Sequence, residues 1–310
     1  MLSRVLLRSA SLALLLHPGA RADEGGASFW LPGQYASLAA VSPPPGWFMA
    51  TTLYYYSGSA PESASSAQGA AVAPGTRSQT AQLLLSPLYA PATTVLGGQP
   101  ALFLSFGVGV NATQANQSGV SVSQTASGLT DLQPGATLGW THGADYWLVY
   151  LTGGVPIGSY ESQRQANIGI GHAAIDAGGG YTHYSPSTEL SLSVAVGFTY
   201  NFENYSTDYQ NGIDSHLGWS AMQSLSPSWR VGLAGYVYYQ LTGDSGSGDT
   251  CGPCKSRVAS VGPEVTYTFT VAGQEWSANL RGYWEFWAQN RLEGHAVFAT
   301  LSIPLGGATK

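Results

Sequence analysis

The sequence contains few charged residues. Only 9% of its 310 residues are Asp, Glu, Lys or Arg, against about 25% in typical soluble domains. The chain therefore has too few charges to cover the surface of an ordinary soluble domain. Its net charge of −6 also excludes the basic surface that nucleic-acid binding requires, so we expect no nucleic-acid partner.

Long apolar runs are missing as well. The uncharged apolar run at residues 9–16 is far shorter than the roughly 20 residues of a transmembrane helix, which excludes spanning by helices. Arg4 and Arg8 precede this run, and Ala20-Arg21-Ala22 follows it. This is the order of a secretory signal peptide with an A-x-A cleavage site. We predict a signal peptide over residues 1–22, so that the mature chain begins near Asp23.

Cysteine is scarce: the chain has two, Cys251 and Cys254. Their C-x-x-C spacing occurs in thioredoxin-like redox motifs, but there it follows a strand and opens a helix. Here it follows a Gly-, Ser- and Asp-rich stretch, so we predict a disulfide that closes a surface loop in an oxidising compartment. Paired C-x-x-C or H-x-x-x-H spacings are absent, and we expect neither a metal nor a cofactor.

Long stretches of the sequence alternate between apolar and polar residues. Residues 228–242 do so most clearly, and because side chains alternate across a strand, this stretch is one β-strand with two different faces. About ten to fourteen residues suit a tilted strand that crosses a bilayer, whereas soluble strands average about 5–6 residues. The apolar face contains Trp229, Val231, Leu233, Gly235, Val237, Tyr239 and Leu241, and the other face Arg230, Gly232, Ala234, Tyr236, Tyr238 and Gln240.

The same pattern predicts about twelve strands. Short turns follow the even-numbered strands, and mostly long, polar or glycine-rich loops follow the odd-numbered ones. Bacterial outer-membrane barrels have this asymmetry, with short periplasmic turns and long extracellular loops. An even strand count places both termini in the periplasm. The predicted strands are 46–57, 77–90, 99–111, 129–142, 145–157, 175–185, 187–202, 212–225, 228–242, 257–271, 274–288 and 293–305.

The sheet must close on itself. An open edge in hydrocarbon would leave about ten unpaired backbone groups at several kcal/mol each, which a domain stability of about 5–15 kcal/mol cannot offset. We predict an all-β fold: a closed antiparallel transmembrane β-barrel of about 12 strands over residues 46–310, monomeric and located in the bacterial outer membrane. Residues 23–45 contain several prolines and no alternation, and we expect this pre-barrel segment to fold into the periplasmic mouth as a candidate plug.

Four stretches carry a family resemblance. They are Leu31-Pro-Gly33 with residues 43–47, residues 204–212, residues 235–246, and residues 285–304. Their order and spacing resemble the outer-membrane family named for the MetA pathway of phenol degradation, whose members are often described as transporters. The resemblance covers nearly all of the mature chain and implies an outer-membrane barrel linked to uptake of aromatic or other hydrophobic small molecules.

Charged residues on neighbouring strands indicate what lines the lumen. Arg230, Glu264, Arg281 and Glu285 share the inward parity, and an Arg on the lipid face would cost about 2–4 kcal/mol at mid-bilayer. They form either a polar ladder that sets pore width and selectivity or an ion-pair network that fills the interior. Four aromatic residues share this parity and form either a stacking path for aromatic solutes or simple filling: Tyr236, Tyr238, Tyr283 and Trp287.

Three function classes follow from these features. A passive channel for small aromatic or hydrophobic compounds is favoured, because about twelve strands lie between the filled barrels of about 8 strands and the open porins of about 16–18. A structural or adhesive surface barrel is the alternative. A barrel enzyme is least favoured: Asp214 and His216 lie two apart on one strand face, but nothing in the sequence places a serine or cysteine nucleophile beside them. We therefore expect no enzyme activity.

Overall fold

The computed structural model describes residues 26, 29–35, 37–60, 75–117, 120–249 and 254–306. The predicted signal peptide over residues 1–22 lies outside the described residues. Within the described part of the chain, no helix is both long and apolar enough to cross a membrane. The strands are β1 (Gly46–Ser59), β2 (Arg77–Ala90), β3 (Gln99–Gln117), β4 (Val120–Leu129), β5 (Gln133–His142), β6 (Asp145–Gly154), β7 (Ala174–Ser185), β8 (Leu190–Asn201), β9 (Asp214–Ser224), β10 (Trp229–Gln240), β11 (Arg257–Val271), β12 (Gln274–Gln289) and β13 (Glu293–Pro304).

Twelve of these strands form a closed antiparallel ring. Consecutive strands pair with each other from β5 through β13, and β13 pairs with β1 from Phe48 opposite Pro304 to Ser59 opposite Glu293. The ring continues through β2 to β3, and β3 pairs with β5. The predicted fold, a closed β-barrel of about twelve strands, is confirmed. Closure leaves no edge along the ring, as hydrocarbon requires.

The extra strand, β4, corrects the prediction of a long loop over residues 112–128. β3 is 19 residues long; its first part pairs with β5 and its second part forms a hairpin with β4, from Val108 opposite Leu129 to Gln117 opposite Val120. Ser, Thr and Gln dominate β4, so the alternation that identifies the other strands is weak here. The predicted fourth strand, 129–142, is β5 together with the end of β4.

The outer surface of the ring is apolar. Leu53, Leu233 and Leu280 lie in the middle of their strands and are 57%, 52% and 50% exposed. Aromatic pairs border this surface where the short turns lie, because Trp47 stands directly opposite Tyr89 on the neighbouring strand, with ring centroids 4.7 Å apart. The pairs Trp147–Tyr181 and Trp229–Tyr267 repeat the arrangement at 4.5 Å. An apolar belt with an aromatic girdle is the lipid-facing surface of an outer-membrane barrel.

The connections give the barrel its orientation. Turns at residues 143–144, 186–189, 225–228 and 272–273 are short, and the end of the barrel where they lie also holds the start of β1 and the end of β13. This end is periplasmic by the general rule for such barrels. Two long loops at the extracellular end, residues 202–213 and 241–256, are joined by hydrogen bonds. Asp244 accepts from the hydroxyl of Tyr209 and from the backbone N–H of Gly212, and burial raises the pKa of its carboxyl.

The depth of the lipid belt can be tested with one charge at two positions. Leu280→Arg places a guanidinium at mid-strand and should lower the free energy of unfolding by about 2–4 kcal/mol, while Val271→Arg, at the periplasmic end of β11, should cost about 0–1 kcal/mol. The protein is unfolded with urea in lipid vesicles, and the folded fraction at each urea concentration is measured from the gel mobility of unboiled samples. Equal costs at the two positions would contradict a transmembrane barrel with this orientation of faces.

Candidate functional site

The N-terminal segment, meaning the described residues among 26–45, lies inside the barrel. Phe29, Trp30 and Leu31 are buried, and Ala40 is buried further along the segment. Gly33 has a φ of +88°, and a Cβ at this position would lie 2.5 Å from the ring of Tyr283 on β12. Glycine therefore allows the segment to approach the barrel wall closely.

Charged side chains of the wall bind the backbone of this segment. Arg281 on β12 donates through Nε to the carbonyl of Gly33 at 3.0 Å and through Nη2 to that of Gln34 at 2.9 Å. Glu264 on β11 accepts from the N–H of Ser37 at 3.1 Å and from its hydroxyl at 2.9 Å. An irregular segment inside a barrel has backbone groups that no sheet pairs, and these side chains satisfy them.

Hydroxyl groups on the next strands extend the same contact. The N–H of Leu38 donates to Ser193 Oγ on β8 at 3.0 Å, and the N–H of Ala40 donates to Thr182 Oγ1 on β7 at 3.2 Å. Thr182 in turn donates to Ser193 at 2.9 Å. The segment is therefore bound across the wall from β7 to β12, which we call the clamping wall.

A stacked histidine completes the clamping wall. The indole of Trp30 lies parallel to the imidazole of His216 on β9, with ring centroids 4.1 Å apart, and meets Tyr236 on β10 edge-on at 6.3 Å. His216 Nε2 lies 2.9 Å from Asp176 Oδ2 on β7, and both side chains are 1% exposed. Thr199 on β8 donates to the same carboxylate oxygen at 2.6 Å. The buried Asp176–His216 pair thus forms the surface on which Trp30 packs.

The acid–base pair suggested by Asp214 and His216 is not assembled. Asp214 accepts from Asn201 Nδ2 at 2.8 Å and from the hydroxyl of Tyr238 at 2.6 Å. His216 instead contacts Asp176 and, at 3.4 Å, the hydroxyl of Tyr150, and it bonds to no serine or cysteine among the described residues. The two side chains therefore hydrogen-bond to different partners, and within the described part of the chain no serine or cysteine nucleophile is bonded to His216.

Most of the residues predicted to line the lumen face the interior, and their partners were not predicted. Glu264, Arg281 and Glu285 are buried. Within the described part of the chain they form no ion pair with one another or with Arg230, which lies half-buried near the periplasmic end of β10. Glu285 accepts from the hydroxyls of Tyr236 and Tyr56 and from the N–H of Gly294. Among the described residues, Glu264, Arg281 and Glu285 thus bind backbone, hydroxyl and amide groups and form no direct ion pair with one another.

The predicted aromatic residues divide into three groups. Tyr236 and Tyr283 are buried in the interior. Tyr238 is half-buried, and the guanidinium of Arg291 lies 4.7 Å from the centre of its ring. The lumen position predicted for Trp287 is wrong, because this side chain is 49% exposed and carries the guanidinium of Arg257 over its ring at 4.4 Å.

A β-bulge explains the position of Trp287. The pairing of β11 with β12 shifts register between Arg257 and Ala259, and Trp287 has a φ of +64°. An extra residue in one strand reverses the alternation beyond it. Side-chain directions assigned by strict alternation along the sequence are therefore wrong at Trp287.

The cysteines are not fully covered by the described residues. Cys254 is disulfide-bonded, whereas Cys251 lies outside the described residues, so the loop disulfide between them stays a prediction. No three His, Cys, Asp or Glu side chains in the described part of the chain are grouped in a way that could hold a metal ion.

A cavity of about 250 Å³ lies beside the N-terminal segment, on the side away from most of the clamping wall. Its wall residues come mainly from β1, β2, β3, β5, β6 and β13, and of the predicted lumen residues only Arg281 is among them. The lining residues are Phe29, Trp30, Leu31, Gln34, Tyr35 and Ala39 of the segment, with Thr52, Leu84, Ser86, Phe103, Ser105, Gln133, Thr137, Leu148, Tyr150, Thr152, Arg281 and Phe298 of the barrel.

The loop between β6 and β7, residues 155–173, folds inward and bounds this side of the interior toward the extracellular end; we call it the inward-folded loop. Asp131, between β4 and β5, accepts from the N–H groups of Gly158 and Ile170, each at 2.8 Å. Ile168 and Ile170 are buried, and Ile170 packs with Phe29 of the segment. The sequence predicts only a long extracellular loop here. Two isoleucines in a glycine-rich loop are the available signal that it folds inward.

A smaller void connects the loop and the cavity region. It shares Phe29, Leu31, Leu84, Ser105 and Gln133 with the larger cavity. Thr130, Asp131 and Ile168 bound it toward the loop. The void therefore lies between the inward-folded loop and the larger cavity, and the five shared side chains line both spaces.

Comparisons with known proteins agree with this architecture. A family model described as "Putative MetA-pathway of phenol degradation" matches residues 62–301. The COG4313 outer membrane channel from Pseudomonas putida F1 is similar in fold, with a TM-score of 0.67, 14% identity, and coverage of 88% of this chain and 98% of that chain. No curated protein matches the sequence. The closed barrel, its apolar belt and this likeness in fold place the chain in the bacterial outer membrane.

More distant likenesses include the β domain of the Bordetella autotransporter BrkA, with a TM-score of 0.49, 11% identity, and coverage of 84% of this chain and 100% of that chain. The translocator domain of the autotransporter NalP from Neisseria meningitidis has a TM-score of 0.48, 10% identity, and coverage of 86% and 91%.

The clamping contacts predict which variants release the segment. Glu264→Ala and Arg281→Ala each remove hydrogen bonds of a charged group, worth about 1.5–3 kcal/mol apiece, so the released population should rise at least about tenfold. The released population is measured by limited proteolysis of the segment in the folded protein. Arg230→Ala is the matched control, because Arg230 has no hydrogen bond to the segment among the described residues. Equal cleavage of all three variants would contradict the clamping role.

Proposed function

The chain belongs to the MetA-pathway family of phenol degradation, and on that premise we propose that it is an outer-membrane channel for passive uptake of small aromatic or hydrophobic compounds. A lipopolysaccharide surface is a barrier to apolar solutes, and a barrel with a partly filled lumen offers a path through it. The observation that carries the proposal is the cavity of about 250 Å³ between the N-terminal segment and the wall. A solidly filled barrel would instead favour a structural or adhesive role.

The segment lies against one side of the lumen, and this supports a route along the other side. Its polar contacts are made mostly with the clamping wall, at Thr182, Ser193, Glu264 and Arg281. On the opposite side it makes a hydrogen bond from Gln133 Nε2 to the carbonyl of Phe29. A solute moving along β1, β2, β3, β5 and β6 therefore displaces few of the segment's hydrogen bonds.

This route differs from the path suggested by the sequence. Tyr236, Tyr283, Glu264 and Glu285 lie on the clamping wall, where they bind the segment or one another. We assign them to holding the segment in place. The path we propose runs past Leu84, Phe103, Leu148 and Phe298, whose apolar surfaces suit an apolar solute.

Both ends of the route have moving parts in this proposal. The inward-folded loop bounds the extracellular side through the two hydrogen bonds to Asp131. The segment narrows the lumen from the periplasmic start of β1 up to this loop, where Phe29 packs with Ile170. Entry then requires local movement of the loop, and exit requires a shift of the segment, so the pore is narrow and selective and does not pass solutes as a general porin does.

Transport is tested in vesicles whose outer leaflet is lipopolysaccharide, because a plain phospholipid bilayer is itself permeable to neutral aromatics. Labelled phenol should enter vesicles that contain the protein faster than empty vesicles, and glucose should not. Arg281→Ala, which loosens the segment, should raise entry of both solutes. Trp287→Ala is the control, since this side chain is on the outer surface and should leave both rates unchanged.

Two outcomes would contradict the transport proposal. Equal rates of phenol entry into empty and protein-containing vesicles would rule out the channel function and favour a structural or adhesive barrel. Faster entry of glucose than of phenol would overturn the substrate class.

A further inference from the structure

We infer that the cavity beside the N-terminal segment is a binding site for one uncharged aromatic molecule of one or two rings that carries a single hydrogen-bonding group. The inference rests on the proposed function, and it goes further by assigning a stopping point within the route and a limit on size and charge. Three features carry it: the volume of the cavity, the division of its walls into an apolar and a hydroxyl side, and the state of its one charged residue.

The volume limits the ligand to a small ring system. An apolar cavity of about 150 Å³ is enough to bind benzene. The cavity here measures about 250 Å³, which leaves room for substituents or for a second fused ring. It is below the range of about 300–1,000 Å³ typical of pockets for larger ligands. We therefore expect one or two rings to fit this space better than three fused rings.

The cavity walls divide into two kinds. Phe29, Leu84, Phe103, Leu148 and Phe298 offer rings and aliphatic groups, against which a flat apolar body packs well. Phe103 can lie over the backbone of β5 because residue 135 is glycine: a Cβ there would lie 2.2 Å from Cζ of the Phe103 ring. Gly135 thus sets how far this ring projects into the cavity.

The other lining groups on β3 and β5 have hydrogen-bonding capacity to spare. Ser105 Oγ accepts from Ser86 at 2.9 Å, and its own hydroxyl hydrogen has no acceptor in the described part of the chain. Thr137 has no hydrogen-bond partner there. Gln133 uses Nε2 for the carbonyl of Phe29, and its Oε1 is left as an acceptor for a ligand hydroxyl. One hydroxyl or carbonyl on a ring can therefore be satisfied here, as a buried polar group must be.

The charge of the lining excludes ionised ligands. Arg281 is its one charged residue, and each of its three nitrogens already donates, to the carbonyls of Gly33 and Gln34 and to Asn279 Oδ1. The guanidinium carbon of Arg281 lies 4.5 Å from the centre of the Phe298 ring. A carboxylate entering the cavity would be repelled by Glu264, which stands directly opposite Arg281 on β11, and it would be desolvated at large cost. An uncharged phenol avoids both penalties.

The test measures binding separately from transport. Full-length protein in detergent is titrated into 4-fluorophenol, and fluorine NMR line broadening reports binding; 2-naphthol should displace the probe, and a three-ring phenol should not. 4-Fluorobenzoate should bind at least about tenfold more weakly than 4-fluorophenol. Ser105→Phe fills the cavity and should weaken 4-fluorophenol binding by about tenfold or more. Leu104→Phe, the same new side chain one residue away on the outer face, should bind like the parent and corrects for partition into detergent.

Gly135→Ala is the milder second variant, to be used if Ser105→Phe fails to fold. It forces Phe103 to shift and should also weaken binding. Equal broadening in the parent and in the folded cavity variants would overturn the site, and tighter binding of 4-fluorobenzoate would overturn the uncharged class. If the parent shows no binding but still carries phenol into lipopolysaccharide vesicles, this inference fails and the proposed function stands. Binding without transport supports the site and contradicts the function.

Discussion

Backbone hydrogen bonding away from bulk water is the constraint on which this structure depends. In the wall, it is met by closing twelve strands into a ring, because any open edge in hydrocarbon would leave N–H and C=O groups unpaired. Inside the ring, the N-terminal segment is irregular and cannot pair as a strand. Its backbone groups are satisfied one at a time by side chains, chiefly Arg281, Glu264, Ser193 and Thr182. The buried charges of Arg281 and Glu264 are thus explained by the peptide groups of the segment that they bind.

The uneven distribution of these polar groups decides where space remains. They lie on β7, β8, β11 and β12, and the Asp176–His216 pair adds a surface for Trp30 on the same side. The other half of the barrel presents rings, aliphatic side chains and hydroxyls. The segment therefore lies against one wall and leaves the cavity at the other. Because the segment lies to one side, a solute can pass without removing the segment from the lumen. A central plug would have to leave the lumen completely.

The inward-folded loop gives the interior a second boundary. It contacts the segment where Ile170 packs with Phe29, and Asp131 holds it from the interruption between β4 and β5. The loop and the segment thus meet beside the cavity. Because their side chains are packed together, a movement of one displaces the other. The break in the sheet at residues 130–132 therefore has a positioning role for the loop. This break was not predicted, because the predicted fourth strand, 129–142, runs through these residues.

The sequence by itself determined the strands, their faces and the closed barrel, because alternation at a period of two is local and hydrocarbon admits no open sheet. It also determined that Glu264, Arg281 and Glu285 face inward, since charge on the lipid face is costly. Only the tertiary structure decided what these residues meet. Their contacts depend on the register between distant strands and on a segment more than 200 residues away in the chain. Trp287 was misplaced because a bulge shifts the register. The β3–β4 hairpin was missed because the apolar–polar alternation of β4 is weak. The inward course of the loop was missed because a few buried side chains decide it.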